Sequence, residues 1–438
     1  MTMTRLFHGG VHPDDFKSFT EKSPIEDLGV PSKVVLLMSQ HTGSLAQPVV
    51  APGDVVRRGT LVGKSTGYIS TNIHASVAGK VTQVGDHLNP LGPPCKAVTI
   101  QPDGEDLWAD STDVYSDASA LDPAAIRETV LQAGVVGMGG AAFPTHVKVS
   151  PPDAKPIDTV IINGVECEPF VTADHRLMLE DPARILEGVR LVLKAVGAQR
   201  VFIGIEANKP DAFEVMKRQV GSDPLVSVRM LPVRYPQGAE KQLIKALLRR
   251  EVPSRGLPMD VGVVVQNVAT CAAVADAVLR RRPLTERVLT VVGDAVGKPG
   301  NYRVRIGTLV SEVLSRCRVS EDYRRLVLGG PMMGISQASP EVPVTKATNC
   351  ILITRSAKVP GQLPCIRCGR CVEVCPANLV PSTLSVALEA RNIDAAASAN
   401  MTDCIECGCC AFICPSKRAI VQQVKYGKAE VAARRKKA

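Results

Sequence analysis

The chain has 438 residues, with 52 Lys or Arg, 43 Asp or Glu and 45% hydrophobic residues. That length predicts about three domains, and the composition is globular, which excludes a mainly disordered or collagen-like chain. Only 8 Phe, 6 Tyr and one Trp are present, too few for the aromatic platforms that stack on single-stranded nucleic acid. We therefore expect no nucleic-acid partner.

The N-terminal segment contains early acids and no apolar core, so we predict no secretory signal. The longest apolar runs, such as residues 34–38, are far shorter than the roughly 18 residues that indicate a membrane-spanning helix. We expect a soluble, cytoplasmic protein that meets a membrane only by peripheral docking.

Most of the net charge of +9 lies at the C-terminus, where residues 415–438 hold eight Lys or Arg and one Glu. The rest of the chain is close to neutral, which argues against an extended nucleic-acid footprint. We interpret the end of the chain as a solvated basic tail, with contact to anionic lipid or an acidic partner as the alternative.

Nine of the 14 cysteines lie between residues 365 and 414, in two runs related by an offset of 39 residues. Each run has three Cys with two residues between them, then a fourth Cys followed by Pro. This spacing is typical of paired 4Fe-4S clusters, in which the fourth Cys ligates the other cluster. The predicted ligands are Cys365, Cys368, Cys371 and Cys414 for one cluster, and Cys404, Cys407, Cys410 and Cys375 for the other.

Two alternatives to this interpretation are weaker. Structural zinc normally pairs two Cys knuckles, and a third Cys so close does not suit a tetrahedral site. A disulfide framework needs an oxidising compartment, which the missing signal argues against. Cys409 lies outside both ligand patterns, and we predict that it is a small buried neighbour.

A glycine-rich loop follows a predicted helix at residues 121–133, which Asp122 and Pro123 begin. The loop contains Gly137, Gly139 and Gly140. Glycines permit close backbone approach, and a following helix N-terminus would offer N–H groups to a phosphate. Because a helix rather than a strand precedes the loop, it does not fit the Rossmann fingerprint. From the pattern alone, a plain tight turn remains open.

The central third alternates strands and helices, which indicates an α/β domain. Apolar runs at residues 159–162, 201–205 and 261–265 predict buried strands. Glu166 and Glu168 follow the first of them, at the strand end where open α/β sheets bind ligands. Each could instead be an ordinary turn or helix-start acid.

These motifs resemble those of a known family. Residues 137–148, 163–169, 238–240 and 266–270 are similar to the FMN and NADH site of the complex I flavoprotein subunit. Over essentially the whole length, the chain resembles the C subunit (RnfC) of Rnf electron-transport complexes. There the flavin domain lies between an N-terminal barrel and a C-terminal dicluster ferredoxin.

The resemblance implies roles for individual residues. Three groups of residues would contact the cofactors. The first lines the flavin and includes a lysine near its phosphate, the second contacts the isoalloxazine ring or the ribityl chain, and the third holds the nicotinamide nucleotide. In that order they are Gly137, Gly139, Gly140 and Lys148; Asn163, Glu166 and Asn267; and Phe143, Glu168 and Glu240. The resemblance also implies that Gly238 is a cofactor-binding residue. Val165 and Ala239 stand where the complex I relative has acids, so the flavin hydrogen bonding differs in detail.

The flanking segments fit the same family. Residues 53–81 predict short strands of a small barrel, similar to a lipoyl or biotinyl carrier domain. The loop at 65–73 contains no Lys to modify, so we expect a docking module. Residues 288–307 predict two strands around a Gly/Pro turn. This pattern resembles a soluble-ligand-binding β-grasp (SLBB) domain, which we expect to pack against the flavin domain.

The resulting prediction is a multidomain α/β protein with five segments. They are a barrel-sandwich domain at 1–112, an FMN/NADH domain at 113–284, a β-grasp domain at 285–348, an α-helical two-cluster ferredoxin domain at 349–418 and a basic tail at 419–438.

The resemblance implies an NADH-dependent oxidoreductase subunit. Electrons would pass from NADH to FMN, then to two 4Fe-4S clusters, and then to a ferredoxin-like partner subunit beside integral membrane subunits that carry Na⁺ or H⁺. The expected location is the cytoplasmic face of the inner membrane. No side chain need act as a catalytic acid or base, because the cofactors carry the chemistry. The alternatives are a microcompartment cobalamin reductase and an electron-wiring scaffold without NADH activity.

Overall fold

The computed structural model describes residues 7–109, 121–356 and 361–437. The predicted boundary between residues 112 and 113 lies outside these ranges. Among the described residues, no helix combines the length and apolar character needed to cross a bilayer.

The N-terminal region forms two small antiparallel sheets, with strand orders β2-β8-β7-β4 and β3-β5-β6. Apolar side chains of both sheets, including Leu36, Val62, Ile73 and Val98, share one buried core. The predicted barrel sandwich is therefore present. The strands are β2 Val34–Leu37, β3 Gln47–Pro48, β4 Val55–Val56, β5 Leu61–Lys64, β6 Ile73–His74, β7 Gly79–Asn89 and β8 Gly92–Pro102.

A parallel four-stranded sheet of order β11-β10-β9-β12 forms the central domain. Strands β9 and β12 are buried along almost their whole length, because helices cover both sides of the sheet. The predicted strands and the helix at 121–133 are found. The strands are β9 Thr159–Gly164, β10 Arg200–Glu206, β11 Val226–Leu231 and β12 Val263–Asn267. The helices are α1 Pro123–Gln132, α2 Thr145–Lys148, α3 Ala173–Glu180, α4 Pro182–Val196, α5 Pro210–Val220, α6 Glu240–Leu248 and α7 Val268–Arg280.

A six-stranded mixed sheet of order β1-β14-β13-β17-β15-β16 forms the third domain. The sheet takes its edge strand from the N-terminal segment and its fourth strand from beyond the predicted boundary at 348. Two strands of this sheet thus come from outside the predicted range 285–348, because strand pairing does not depend on distance along the chain. The elements are β1 Ile25–Asp27, β13 Glu286–Val292, β14 Gly300–Arg305, α8 Val310–Arg316, β15 Arg325–Leu328, β16 Ile335–Gln337 and β17 Cys350–Thr354.

The C-terminal domain is helical and keeps the internal repeat in its backbone. Left-handed φ angles recur at the 39-residue offset, at Arg367 and Glu406, at Gly369 and Gly408, and at Asn378 and Lys417. The helices are α9 Arg370–Glu373, α10 Pro381–Glu389, α11 Ile393–Ser398, α12 Cys409–Ile413 and α13 Ile420–Lys437.

The prediction of a solvated basic tail was wrong, since this segment forms helix α13. Val424 on α13 is buried in the same core as Leu384 and Leu388 of α10. Lys428 donates to Glu406 at 2.7 Å, and Arg434 donates to Asp394 at 2.8 Å. Apolar residues interspersed among the charges give the helix a packing face that the charge count concealed.

Candidate functional site

A cavity of about 620 Å³ opens at the carboxyl ends of β9 and β12. Its volume is in the range of cofactor sites, and its position is where parallel sheets bind ligands. The structure brings together all eleven residues that the sequence predicts for FMN and NADH. They are Gly137, Gly139, Gly140, Phe143, Lys148, Asn163, Glu166, Glu168, Gly238, Glu240 and Asn267.

The glycine-rich loop is closed on itself and held from two sides. Gly137 N donates to Phe143 O at 2.8 Å, and Met138 N donates to Thr270 Oγ1 at 2.8 Å. Gly140 has a φ of 122°, a conformation that a side chain would strain. Only the single turn α2 follows the loop, so the long helix N-terminus that would favour a phosphate is absent there.

Lys148 and Glu240 form an ion pair on the cavity wall. Lys148 Nζ donates to Glu240 Oε1 at 2.5 Å and to Val265 O at 3.1 Å. The sequence assigned these residues to different ligands, the flavin phosphate and the nicotinamide nucleotide. A phosphate that approaches Lys148 therefore competes with the Glu240 carboxylate for the same ammonium group.

Glu166 has the helix-start role that the sequence left open as an alternative. Its carboxylate accepts from Asp174 N at 2.7 Å and His175 N at 3.1 Å, at the start of α3. Nearby, Asn163 Nδ2 donates to Gly238 O at 2.8 Å. Glu166 thus orders one wall of the cavity and also faces its interior.

Glu168 connects the central domain to the β-grasp domain. Its Oε1 accepts from Met332 N at 2.7 Å and Met333 N at 3.1 Å. Burial raises the pKa of Glu168, although these N–H groups oppose the rise. A Cβ on Gly330 would lie 2.2 Å from Glu168 Cγ, so only glycine fits there.

The β-grasp domain contributes directly to the cavity, which sequence reasoning missed. Its loop residues Gly329, Gly330, Met333 and Gly334 line one wall. The glycine-rich run at 329–334 was the available signal. The expectation that this domain only packs against the flavin domain was therefore too narrow.

Asp174 is a second residue of the cavity that the sequence analysis did not assign. It lines the cavity, and Asn267 Nδ2 donates to its Oδ2 at 2.6 Å. Burial, followed by the nearby Glu166 carboxylate, raises the pKa of Asp174 to about 7. The cavity wall therefore contains a carboxyl group that burial makes harder to ionise than an exposed aspartate.

The departures at Val165 and Ala239 have different consequences. Val165 is fully buried in an apolar cluster with Leu231 and Leu243, so its side chain belongs to the core. Ala239 lines the cavity beside Glu240. Of the two differences from the complex I relative, only Ala239 leaves the cavity wall without a carboxylate.

The eight predicted cluster ligands line two further small cavities, four in each. Cys365, Cys368, Cys371 and Cys414 line one, and Cys375, Cys404, Cys407 and Cys410 line the other. The fourth Cys of each run thus joins the other run, as a dicluster arrangement requires.

The donor set fits a cluster better than a single ion. Each group offers four thiols, which is the ligand number of a 4Fe-4S cluster. Burial raises the pKa of the Cys404 thiol to about 11, so bound metal would stabilise its thiolate. Cys409 is buried, as predicted, with its Sγ 3.8 Å from Tyr235 O.

One wall is shared by the large cavity and a cysteine cavity. Ile405 and Cys407 line both. Tyr235 lines the large cavity, and its hydroxyl donates to Cys407 O at 2.7 Å. The other group of four cysteines has no residue in the wall of the large cavity, among the residues that the structure describes.

Family models match four successive segments of the chain. They are described as an RnfC barrel sandwich hybrid domain at residues 5–105, a Nuo51 FMN-binding domain at 130–276, an SLBB domain at 288–336 and a 4Fe-4S dicluster domain at 360–415. The fold and cavities thus belong to a multidomain protein that combines an FMN-binding domain with an iron–sulfur domain.

Curated relatives match over nearly the whole chain. The C subunit of the proton-translocating ferredoxin:NAD(+) oxidoreductase complex of Clostridium ljungdahlii is 46% identical, covering 98% of this chain and 94% of the relative. The C subunit of the Na(+)-translocating complex of Acetobacterium woodii is 43% identical, covering 98% of both chains. The chain therefore belongs to the RnfC family of Rnf electron-transport complexes.

Solved structures support the fold alone. An NAD+-reducing NiFe-hydrogenase structure in the H2-reduced state has a TM-score of 0.51 and 22% identity, covering 72% of this chain and 66% of the hydrogenase chain. The air-oxidized state has a TM-score of 0.50 and covers 63% of its chain.

Proposed function

We propose that the chain is the NADH-oxidising, electron-transferring subunit of an ion-translocating Rnf complex. In this proposal it holds FMN, NAD(H) and two 4Fe-4S clusters and exchanges electrons with a ferredoxin-like partner subunit. The observation that carries the proposal is the shared wall, in which Cys407 borders both the 620 Å³ cavity and a group of four cysteines. A redox cofactor in the cavity would therefore lie next to a cluster.

The protein's own part in this chemistry is to bind and orient. When bound, a flavin accepts two electrons as hydride and releases them singly, which no side chain does. Asn163, Asn267 and the glycine loop form the flavin wall, whereas Glu168 and Glu240 lie where the nucleotide would bind. Glu168, fixed by two backbone N–H groups, positions the β-grasp loop over the cavity.

The two cysteine groups take different places in the proposed path. The group of Cys375, Cys404, Cys407 and Cys410 is next to the flavin cavity, and the group with Cys365 and Cys368 is distal. Electrons would thus leave through the distal group. Ion translocation belongs to membrane subunits, and we place this chain on the cytoplasmic face of the inner membrane as a peripheral subunit.

Anaerobic reconstitution with iron, sulfide and FMN tests the proposal. The chain should retain about eight irons and one FMN, and NADH should bleach the flavin absorption. About four irons, or a bound flavin that NADH does not bleach, would contradict it. Eight irons without retained FMN would instead favour the wiring scaffold.

The double variant Glu168→Gln with Glu240→Gln tests the nucleotide site. Gln preserves side-chain shape but removes both carboxylates, so we expect FMN retention with NADH-dependent bleaching lost. The matched control is Glu214→Gln with Glu321→Gln, two exposed positions elsewhere, which should bleach normally. Stopped-flow absorbance gives the rates, and unchanged bleaching in the first variant would reject the assigned role.

A further inference from the structure

The two cysteine runs have the same backbone but opposite surroundings. Cys407 is buried, and its neighbour Ile405 lines the flavin cavity. At the 39-residue offset, Cys368 is exposed and Ile366 is 66% exposed. The sequence repeat therefore presents one loop to a redox domain of the same chain and the equivalent loop to solvent.

The exposed loop and the segment beside it carry exposed apolar side chains. Leu363 is 59% exposed, and its N donates to Ser416 O at 2.9 Å. This bond places the 361–366 segment beside residues 415–417, so Leu363, Ile366 and Pro415 lie together around the distal cysteines. Exposed apolar side chains beside an electron-transfer group are typical of a contact surface.

The charge of this patch is positive. Arg367, Arg370 and Lys417 are exposed, and none forms an ion pair with any described residue. At the buried loop, by contrast, the equivalent of Arg367 is Glu406, which pairs with Lys428 at 2.7 Å. At residue 367 the exposed run thus has an arginine without an ion-pair partner among the described residues. At the equivalent position the buried run has Glu406, whose charge is neutralised by Lys428.

We propose that Leu363, Ile366, Arg367, Arg370 and Lys417, here called the exit face, dock an acidic one-electron carrier protein. The repeat supports this assignment. The buried cysteine loop packs against the flavin domain of the same chain, and the equivalent exposed loop would pack against a separate redox protein in the same way. Complementary charge raises the association rate and orients the partner. The proposal rests on the proposed function, since it assumes a cluster at the distal cysteines.

The test uses the reconstituted full-length chain and a purified acidic two-cluster ferredoxin as the probe. Binding of oxidised ferredoxin is measured by calorimetry at low and high salt. Transfer from dithionite-reduced ferredoxin to the chain is followed by stopped flow. The variant is Arg367→Glu, Arg370→Glu and Lys417→Glu; Glu406 shows that Glu tolerates the backbone of residue 367. The control reverses Lys33, Lys217 and Arg218, all exposed in other domains.

For the wild-type chain and the control we expect salt-sensitive binding. In the exit-face variant we expect at least a tenfold loss of affinity and transfer rate, with little remaining salt dependence. Equal losses in both variants, or no loss in the exit-face variant, would overturn the proposal. So would unchanged ferredoxin binding accompanied by lost binding to anionic phosphatidylglycerol vesicles, since the patch would then be a lipid contact.

Two measurements separate this proposal from the proposed function. NADH-dependent flavin bleaching is recorded for each variant. Iron content is recorded as well, because Ile366 and Arg367 lie in the wall of the distal cysteine cavity, and only variants that retain about eight irons are compared. If bleaching fails in every chain while ferredoxin binding still requires the exit face, the proposed function fails and the docking surface stands. If NADH still bleaches the flavin but ferredoxin binding does not require the exit face, the proposed function stands and the docking surface fails.

Discussion

Lys346 is a fully buried lysine without a carboxylate partner in the described part of the chain. Its Nζ donates to Asn72 O at 2.7 Å and Gly134 O at 2.6 Å, which joins the barrel to the segment before the glycine loop. Burial lowers its pKa to about 7. Burial, and then the charge of Lys346, lowers the pKa of His74 to about 3, so this neighbour remains neutral.

The pKa of Lys346 predicts how stability changes with pH. Below pH 7 the amine is protonated in both states, whereas between about pH 7 and 10.5 only the unfolded chain holds the proton. Stability should therefore rise with pH across that window, by on the order of 5 kcal/mol in full. The urea midpoint of wild type relative to Lys346→Met should increase from pH 7 to 9. Lys33→Met, at an exposed site, should show no such trend, and a flat difference for Lys346→Met would contradict the assignment.

Helices α4 and α7 pack on each other through a glycine. A Cβ on Gly188 would lie 1.8 Å from Cys271 O, a backbone atom that cannot move unless the helices separate. Because the side chain of Asn267 caps the N-terminus of α7, this contact also positions one wall of the cavity.

Gly188→Ala should destabilise the chain although alanine favours helix. The overpacking cost is about 1–3 kcal/mol or more and exceeds the roughly 1 kcal/mol gained in helix propensity. Gly361→Ala is the control, since a Cβ at this exposed position would meet nothing within 4 Å. Thermal unfolding by circular dichroism should show a clear fall for the first variant and little change for the second. Equal melting temperatures would disprove the predicted clash.

At the scale of the whole molecule, a charge network joins the barrel to the β-grasp domain. Glu286 accepts from Arg58 at 2.5 Å, Arg303 at 2.7 Å and Arg305 at 3.0 Å. Burial pushes the pKa of Glu286 up, but the three guanidinium groups together hold it below its usual value. The network therefore stabilises the interface at neutral pH and weakens as pH falls through that lowered pKa.

Glu286→Ala should cost about 3–5 kcal/mol, because three guanidinium groups lose their shared carboxylate. Glu26→Ala removes an exposed pair with Lys298 and should cost less than about 1 kcal/mol. The single Trp reports on the interface, since Arg58 lies 4.1 Å from the centre of the Trp108 ring. Urea unfolding followed by Trp fluorescence should therefore separate the two variants. Similar midpoints would mean that the network contributes little.

The sequence alone determined the features that depend on short-range pattern. Cysteine spacing identified the two runs and their exchanged fourth members, apolar periodicity located β9, β10 and β12, and motif order identified the family. The cysteine spacing within each run and the apolar periodicity lie within a few residues of chain, where local geometry fixes which side chains can meet.

Only the tertiary structure decided contacts between distant segments. It joined β1 and β17 to the β-grasp sheet, brought the 329–334 loop to the cavity, paired Lys148 with Glu240 and packed the basic tail as α13. It also buried one cysteine loop and exposed its repeat, although the two loops have nearly the same spacing. The reason is physical: burial and charge pairing depend on which surfaces meet, and a linear pattern records only the residues that each surface offers.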